Sequence, residues 1–203
     1  MVSRISYIYF IVFFVFLFGL SPQASYNLPP QQTVERLIHT IKSLNTSSSL
    51  SSREIKANQK VSHLALTLID LDEISRKALG KYWTKRTPTE KKEFRLLLSR
   101  MFVQEAFPSS GKFFLLLKLV FGKTKIEQSK ALVPITLTHE EEGEIAINFH
   151  LHKSKGKWKI VDVYLDEVSM RNNLRSQVYK IISKNDYQEL VRRIKEKLKN
   201  SNS

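Results

Sequence analysis

Three histidines and one aspartate are the side chains of this sequence best placed to do chemistry. His150 and His152 stand two apart in an alternating stretch, so they share one face of a strand, and His139 lies on the stretch before it, where a hairpin would bring it alongside. Two or three imidazoles can ligate zinc. Here the nearby acidic residues from Glu140 onward fall in the turn, and no helical metal motif accompanies the histidines. They read as a solvated polar face, and no metal is expected. Asp162 interrupts an apolar run between Val161 and Val163. It is either a structural carboxylate held by Arg175 or backbone amides, or a general base in a cone-shaped cavity with Tyr82 or Tyr164 as proton partner. The six glycines are scattered, so no phosphate-cradling loop or nucleophile elbow is present, and without cysteine there is neither a disulfide nor thiol chemistry. No cofactor is expected.

The elements that would position these groups are legible in the spacing. Val34, Leu37, Ile38 and Ile41 recur at helical intervals within Thr33 to Leu44, and a serine-rich connector leads to a second helix from Ser52 to Leu68. Asp70 or Asp72 can cap a short helix to Leu79, with Gly80 as its C-terminal residue. In Thr87-Pro88-Thr89-Glu90, Thr87 and Glu90 form a capping box with proline at the first helical position. The helix it starts carries Phe94, Leu97, Leu98, Met101 and Phe102 on one face and is predicted to end near Pro108. From Gly111 to Gly122 only Lys112 and Lys118 relieve a run of aromatic and aliphatic residues, which implies burial on all sides or contact with something greasy.

From Ala131 the period switches to two. Strands are predicted at Ala131 to Leu137, with Pro134 marking an edge or a bulge, at Ile145 to Leu151, and at Trp158 to Glu167. In the third strand the apolar set changes phase from Trp158 and Ile160 to Val161, Val163 and Leu165, the sign of a bulge or of burial on both faces. Ser169 can cap a helix bearing Leu174, Val178, Ile181 and Ile182, and a last helix carries Tyr187, Leu190, Val191, Ile194 and Leu198. The expected class is α+β, with a meandering antiparallel sheet covered on one face by helices.

The 203 residues, 42% of them apolar, suffice for one domain with a sizeable core. Arg4, the apolar run Ile5 to Phe18, and the small residues up to Ala24 have the order of a secretory signal peptide, too short to span a bilayer, so residues 1–25 read as a leader and 26–203 as the domain. The net charge of +14 favours anionic partners. Export takes most nucleic acid out of reach, leaving anionic lipid, and a monomer is expected.

Two stretches carry a resemblance. Leu79-Gly80-Lys81-Tyr82-Trp83 followed by Thr87-Pro88-Thr89-Glu90 and Phe94, and Trp158-Lys159-Ile160-Val161-Asp162-Val163 followed by Glu167-Val168-Ser169-Met170 and Asn173 to Gln177, resemble the MlaC-like family, also called the toluene-tolerance auxiliary proteins. The likeness covers about Thr33 to Leu198. Glu167 stands where the family usually has glycine, and Phe113 to Phe121 matches none of its motifs. The resemblance implies a periplasmic phospholipid carrier between an outer-membrane lipoprotein complex and an inner-membrane ABC-type transporter. It also implies a twisted antiparallel sheet packed with helices, acyl chains held in the apolar pocket between them. On that reading, apolar periodicity and motif position nominate Leu79, Trp83, Leu98 and Phe102 from the helices, Ile145, Ile147, Phe149, Val163 and Leu165 from the sheet, and Val168 and Met170 at the cap as lipid-binding. The competing classes are the exported enzyme built on Asp162 and a basic surface adaptor, although an adaptor has little reason to carry Phe113 to Phe121.

Overall fold

Capping chemistry sets where most helices begin in the computed structural model, which describes residues 27–47, 49–139 and 143–201. The segment read as a leader and the residues 140–142, read as part of an acidic turn, lie outside the described residues, as does the His139 side chain. Helix α1 (Pro30–Lys42) starts on a proline, whose missing amide would have no partner there. Ser51 and Thr87 close reciprocal capping boxes with Glu54 and Glu90 at the starts of α2 (Ser52–Leu66) and α4 (Pro88–Met101). Asp70, rather than Asp72, accepts from the Glu73 amide and opens α3 (Leu71–Leu79). Gly80 follows at φ 47°, and a Cβ there would meet the Tyr179 hydroxyl at 2.2 Å.

The helix from Thr87 does not stop at Pro108. The chain widens into a π-helical turn over Phe102–Ala106, closed by the Phe107 amide on the Phe102 carbonyl, and runs on as α5 (Phe107–Leu115). The reason is local: proline cannot donate, and the wide turn leads into a new helix in which Pro108 occupies an early position where no donor is needed. Helix α5 lies tightly against α1 at Gly111, where a Cβ would fall 2.4 Å from the Ile41 carbonyl oxygen. That contact is backbone and cannot swing aside. Gly111→Ala is therefore expected to cost about 2 kcal/mol and lower the unfolding temperature by about 5 °C. Calorimetry checks this, and an unchanged or raised midpoint would show that alanine's better helix propensity wins.

Among the described residues six strands form one antiparallel sheet where the spacing predicts three: β1 (Lys118–Phe121), β2 (Lys125–Glu127), β3 (Lys130–His139), β4 (Gly143–Ser154), β5 (Lys157–Leu165) and β6 (Val168–Ser169). The three extra strands are short, two to four residues each, below the length at which alternation is visible. Strands β1 and β2 share one edge of β3, pairing with residues 135–138 and 130–132, so Pro134 falls in the gap between them. Pro134 needs no amide there, and its carbonyl accepts from the Gly122 amide at 2.9 Å. The β4–β5 register shifts between His150 and Leu151, whose partners are Asp162 and Ile160. Val161 is the extra residue, which accounts for the phase change in the sequence.

Helices α6 (Met170–Lys184) and α7 (Tyr187–Asn200) complete the covering layer. Helix α3 packs against α4 and α6, and α7 against both of those, while α1 and α6 reach the sheet at β5. The α2–α3 link is stitched to the sheet as well. Asp70 donates its amide to the Ile160 carbonyl at 2.9 Å, and Ile160 donates to Leu68 at 3.0 Å.

Candidate functional site

The sheet and the helices that cover it do not close on one another completely. Between them lies a cavity of about 530 Å³, and 18 of its 22 lining residues are apolar. Ile147 and Phe149 of β4 and Ile160, Val161, Val163 and Leu165 of β5 form the sheet wall, the register placing Leu165 opposite Ile147 and Val163 opposite Phe149. Opposite stand Leu37, Ile38 and Ile41, one stripe of α1, and Phe107, Phe113 and Phe114 of α5 with Phe102 and Ala106 of the π-helical turn. Ile69 and Ile74 close one end, and Met170 and Leu174 the start of α6. Ser109, Ser110, Asp162 and Arg171 are the polar members. Ser109 and Phe113 are the exposed lining residues, so the rim lies along α5.

Of the residues nominated from sequence, the structure gathers Phe102, Ile147, Phe149, Val163, Leu165 and Met170 around the cavity. It places the other five elsewhere. Leu79 and Leu98 are buried within the helical layer, where α3, α4, α6 and α7 take up each other's apolar stripes. Trp83 lies half-buried after α3, with the Lys91 ammonium 5.3 Å from its ring. Ile145 pairs with Leu137 one step beyond the wall, and Val168 is 54% exposed on β6. The motif Leu79 to Trp83 thus fastens α3 to α6: the Lys81 amide donates to the Tyr179 hydroxyl at 2.8 Å, and Tyr82 meets the Tyr179 ring edge-on at 5.1 Å.

Asp162 sits where β5 meets α6, its side chain 1% exposed. Its carboxylate accepts from the Ser169 hydroxyl at 2.7 Å, the Val163 amide at 2.9 Å and the Arg171 amide at 3.0 Å, and lies 3.3 Å from the Arg171 guanidinium. The charged partner is Arg171, not Arg175, because Arg171 leaves the first turn of α6 beside the strand. Ser169 in turn caps α6 by accepting from the Asn172 amide. The carboxylate's acceptor sites are thus occupied in joining strand to helix. Of its suggested proton partners, Tyr82 packs on Tyr179, Tyr164 stacks on His150 at 4.5 Å, and neither lines the cavity.

The histidines go to separate partners. His152 Nε2 meets Asp70 Oδ2 at 2.7 Å. Partial burial works against the Asp70 charge, yet the Glu73 amide and His152 outweigh it and hold this carboxyl below its ordinary range. His150 faces Asp162 across the ladder; burial, with Arg171 nearby, lowers its pKa against the pull of Asp162. The turn after β5 shows what the position of Glu167 demands of the backbone. Asp166 and Glu167 both take positive φ, 42° and 69°, the left-handed conformation that favours glycine, and Asp166 ties the turn to Ala146 through its backbone amide and its carboxylate.

The cavity wall that sequence reasoning missed is mostly α1 and α5. The stripe Leu37, Ile38 and Ile41 and the aromatic pair Phe113 and Phe114 were visible as apolar spacing, but nothing in the spacing says which neighbour an apolar face will meet.

No curated protein matches the sequence. Among solved structures, the phospholipid-binding protein from Ralstonia solanacearum, determined in complex with a phospholipid, has the same fold: TM-score 0.69 at 15% identity, over 87% of this chain and 100% of that one. The family described as MlaC protein matches residues 31–196, which take in every helix and strand around the cavity. The chain belongs to the MlaC protein family.

Proposed function

We propose that this protein is a periplasmic phospholipid carrier that moves lipid between an outer-membrane lipoprotein complex and an inner-membrane ABC-type transporter, and that it acts by binding rather than by catalysis. The observation that carries the reading is the cavity. Its volume of about 530 Å³ is in the range of ligand sites, and its apolar lining suits an acyl chain. Each buried methylene contributes about 0.8 kcal/mol, so a lipid tail can be held without many polar contacts. The ligand of the solved relative and the family membership support the same class of cargo. Phe102, Ile147, Phe149, Val163, Leu165 and Met170 are the acyl contacts on this reading, with Leu37, Ile38, Ile41, Phe107 and Phe114 added by the structure.

Native mass spectrometry with lipid extraction, on protein purified gently from a bacterial envelope, tests the proposal. A stoichiometric phospholipid that is lost on denaturation is expected. A clean apo mass under the same conditions would sink the carrier reading.

A further inference from the structure

The apolar run that matches no family motif leaves three of its large side chains in water. At the end of α5, Phe113 is 38% exposed, Leu115 55% and Leu116 75%, while Phe114 and Leu117 between and beside them are buried and fix the corner to the core. Isolated exposed leucines are ordinary, but three large apolar side chains within four residues are not. The charges nearest them in the chain are Lys112 and Lys118, while across the sheet Glu144 pairs with Thr138, the partner of Lys118. From Ala106 to Ile126 the chain carries no acidic residue; Lys112 and Lys118 are exposed beside the corner, and Lys123 and Lys125, also exposed, lie further along the same sheet edge. The groove behind the corner, between α1 and β1, adds His39 and Lys42, with Glu35 as its carboxylate. Phe113 also stands on the rim of the large cavity.

We propose that this α5–β1 corner docks the protein on an anionic bilayer surface, with Leu115 and Leu116 entering the headgroup layer and the flanking lysines meeting lipid phosphates. A bilayer interface is the partner that rewards both features together: it takes apolar side chains a few ångströms deep and attracts lysines at the same level. A second copy of this chain fits poorly, because a two-fold contact would set the same lysines against each other. The docking turns the cavity rim toward lipid. It does not need a lipid already in the cavity, so it stands or falls separately from the carrier reading.

The absence of cysteine allows a direct test. Leu116→Cys is labelled with an environment-sensitive fluorophore, with Gln188→Cys on α7 as the reference position, and each protein is titrated with vesicles of phosphatidylglycerol or of phosphatidylcholine. The label at 116 is expected to shift to the blue on phosphatidylglycerol and the label at 188 to stay as in water. Adding Lys112→Gln and Lys118→Gln should raise the vesicle concentration for half-maximal shift by about tenfold or more. A label at 116 that stays water-like on saturating phosphatidylglycerol overturns the proposal. So does a shift equal on both lipids and indifferent to the lysines, or one that appears without vesicles and grows with protein concentration, which would assign the corner to a second copy.

Discussion

Val163→Trp should leave the protein folded and empty of phospholipid. Val163 is half-buried on β5 with its side chain toward the cavity, so an indole at that position has space to occupy without entering the close-packed part of the core. The space it takes is the space an acyl chain would fill beside Phe149, its cross-strand partner. Displacing about four methylenes at about 0.8 kcal/mol each removes about 3 kcal/mol of binding, on the order of a hundredfold in affinity. Lipid recovered per protein by native mass spectrometry should then fall close to zero, with circular dichroism and the unfolding midpoint near the parent's. Val168→Trp is the comparison: Val168 pairs with Leu165 at the sheet edge but is 54% exposed and outside the cavity lining, and should keep its lipid. Lipid retained at the parent ratio in the Val163 variant would remove the sheet wall from the binding site.

Val163 lines the cavity and Val168 does not, although apolar periodicity and motif position nominate both. Elements governed by local chemistry were legible: Thr87 and Glu90 cap a helix because both groups lie within four residues, and the bulge at Val161 announces itself as a phase slip within one strand. Alternation on β4 separated cavity-facing Ile147 and Phe149 from Asn148, whereas on β5 the bulge brings Val161, Asp162 and Val163 all to the cavity. What failed was the assignment of apolar faces to partners. Leu79 and Leu98 are as apolar and as regularly spaced as Leu37 and Ile41, yet α3 and α4 spend their stripes on α6 and α7, whereas α1 turns part of its stripe to the cavity. That choice depends on long-range packing, on the close approach permitted by Gly111, and on a π-helical turn that carries the chain past Pro108. None of these has a short-range signature strong enough to read. The segment Phe113 to Phe121 divides between a buried anchor and an exposed corner for the same reason.

Asp162→Ala should lower stability by about 3 kcal/mol, and the unfolding temperature by about 10 °C. The substitution strips the Ser169 hydroxyl, two backbone amides and the Arg171 guanidinium of their acceptor at one stroke, at a joint where the carboxylate is almost wholly buried. Arg171 is the main sufferer: its Nε already lacks a partner, and without Asp162 only the Val161 carbonyl, at 3.3 Å, remains to its charge. The cost of an uncompensated cation exceeds the value of the pair it came from, so Asp162→Ala combined with Arg171→Met should recover part of the loss. The pair of variants separates two views of this residue. A carboxylate kept as a general base would leave the unfolding midpoint near the parent's when neutralised, whereas a carboxylate that ties β5 to α6 takes the midpoint down with it. Thermal unfolding of the single and double variants decides between them. An unchanged midpoint in Asp162→Ala would return the residue to the candidates for chemistry, and a midpoint partly restored in the double variant would assign that part of the loss to the Arg171 charge left unpaired where β5 meets α6.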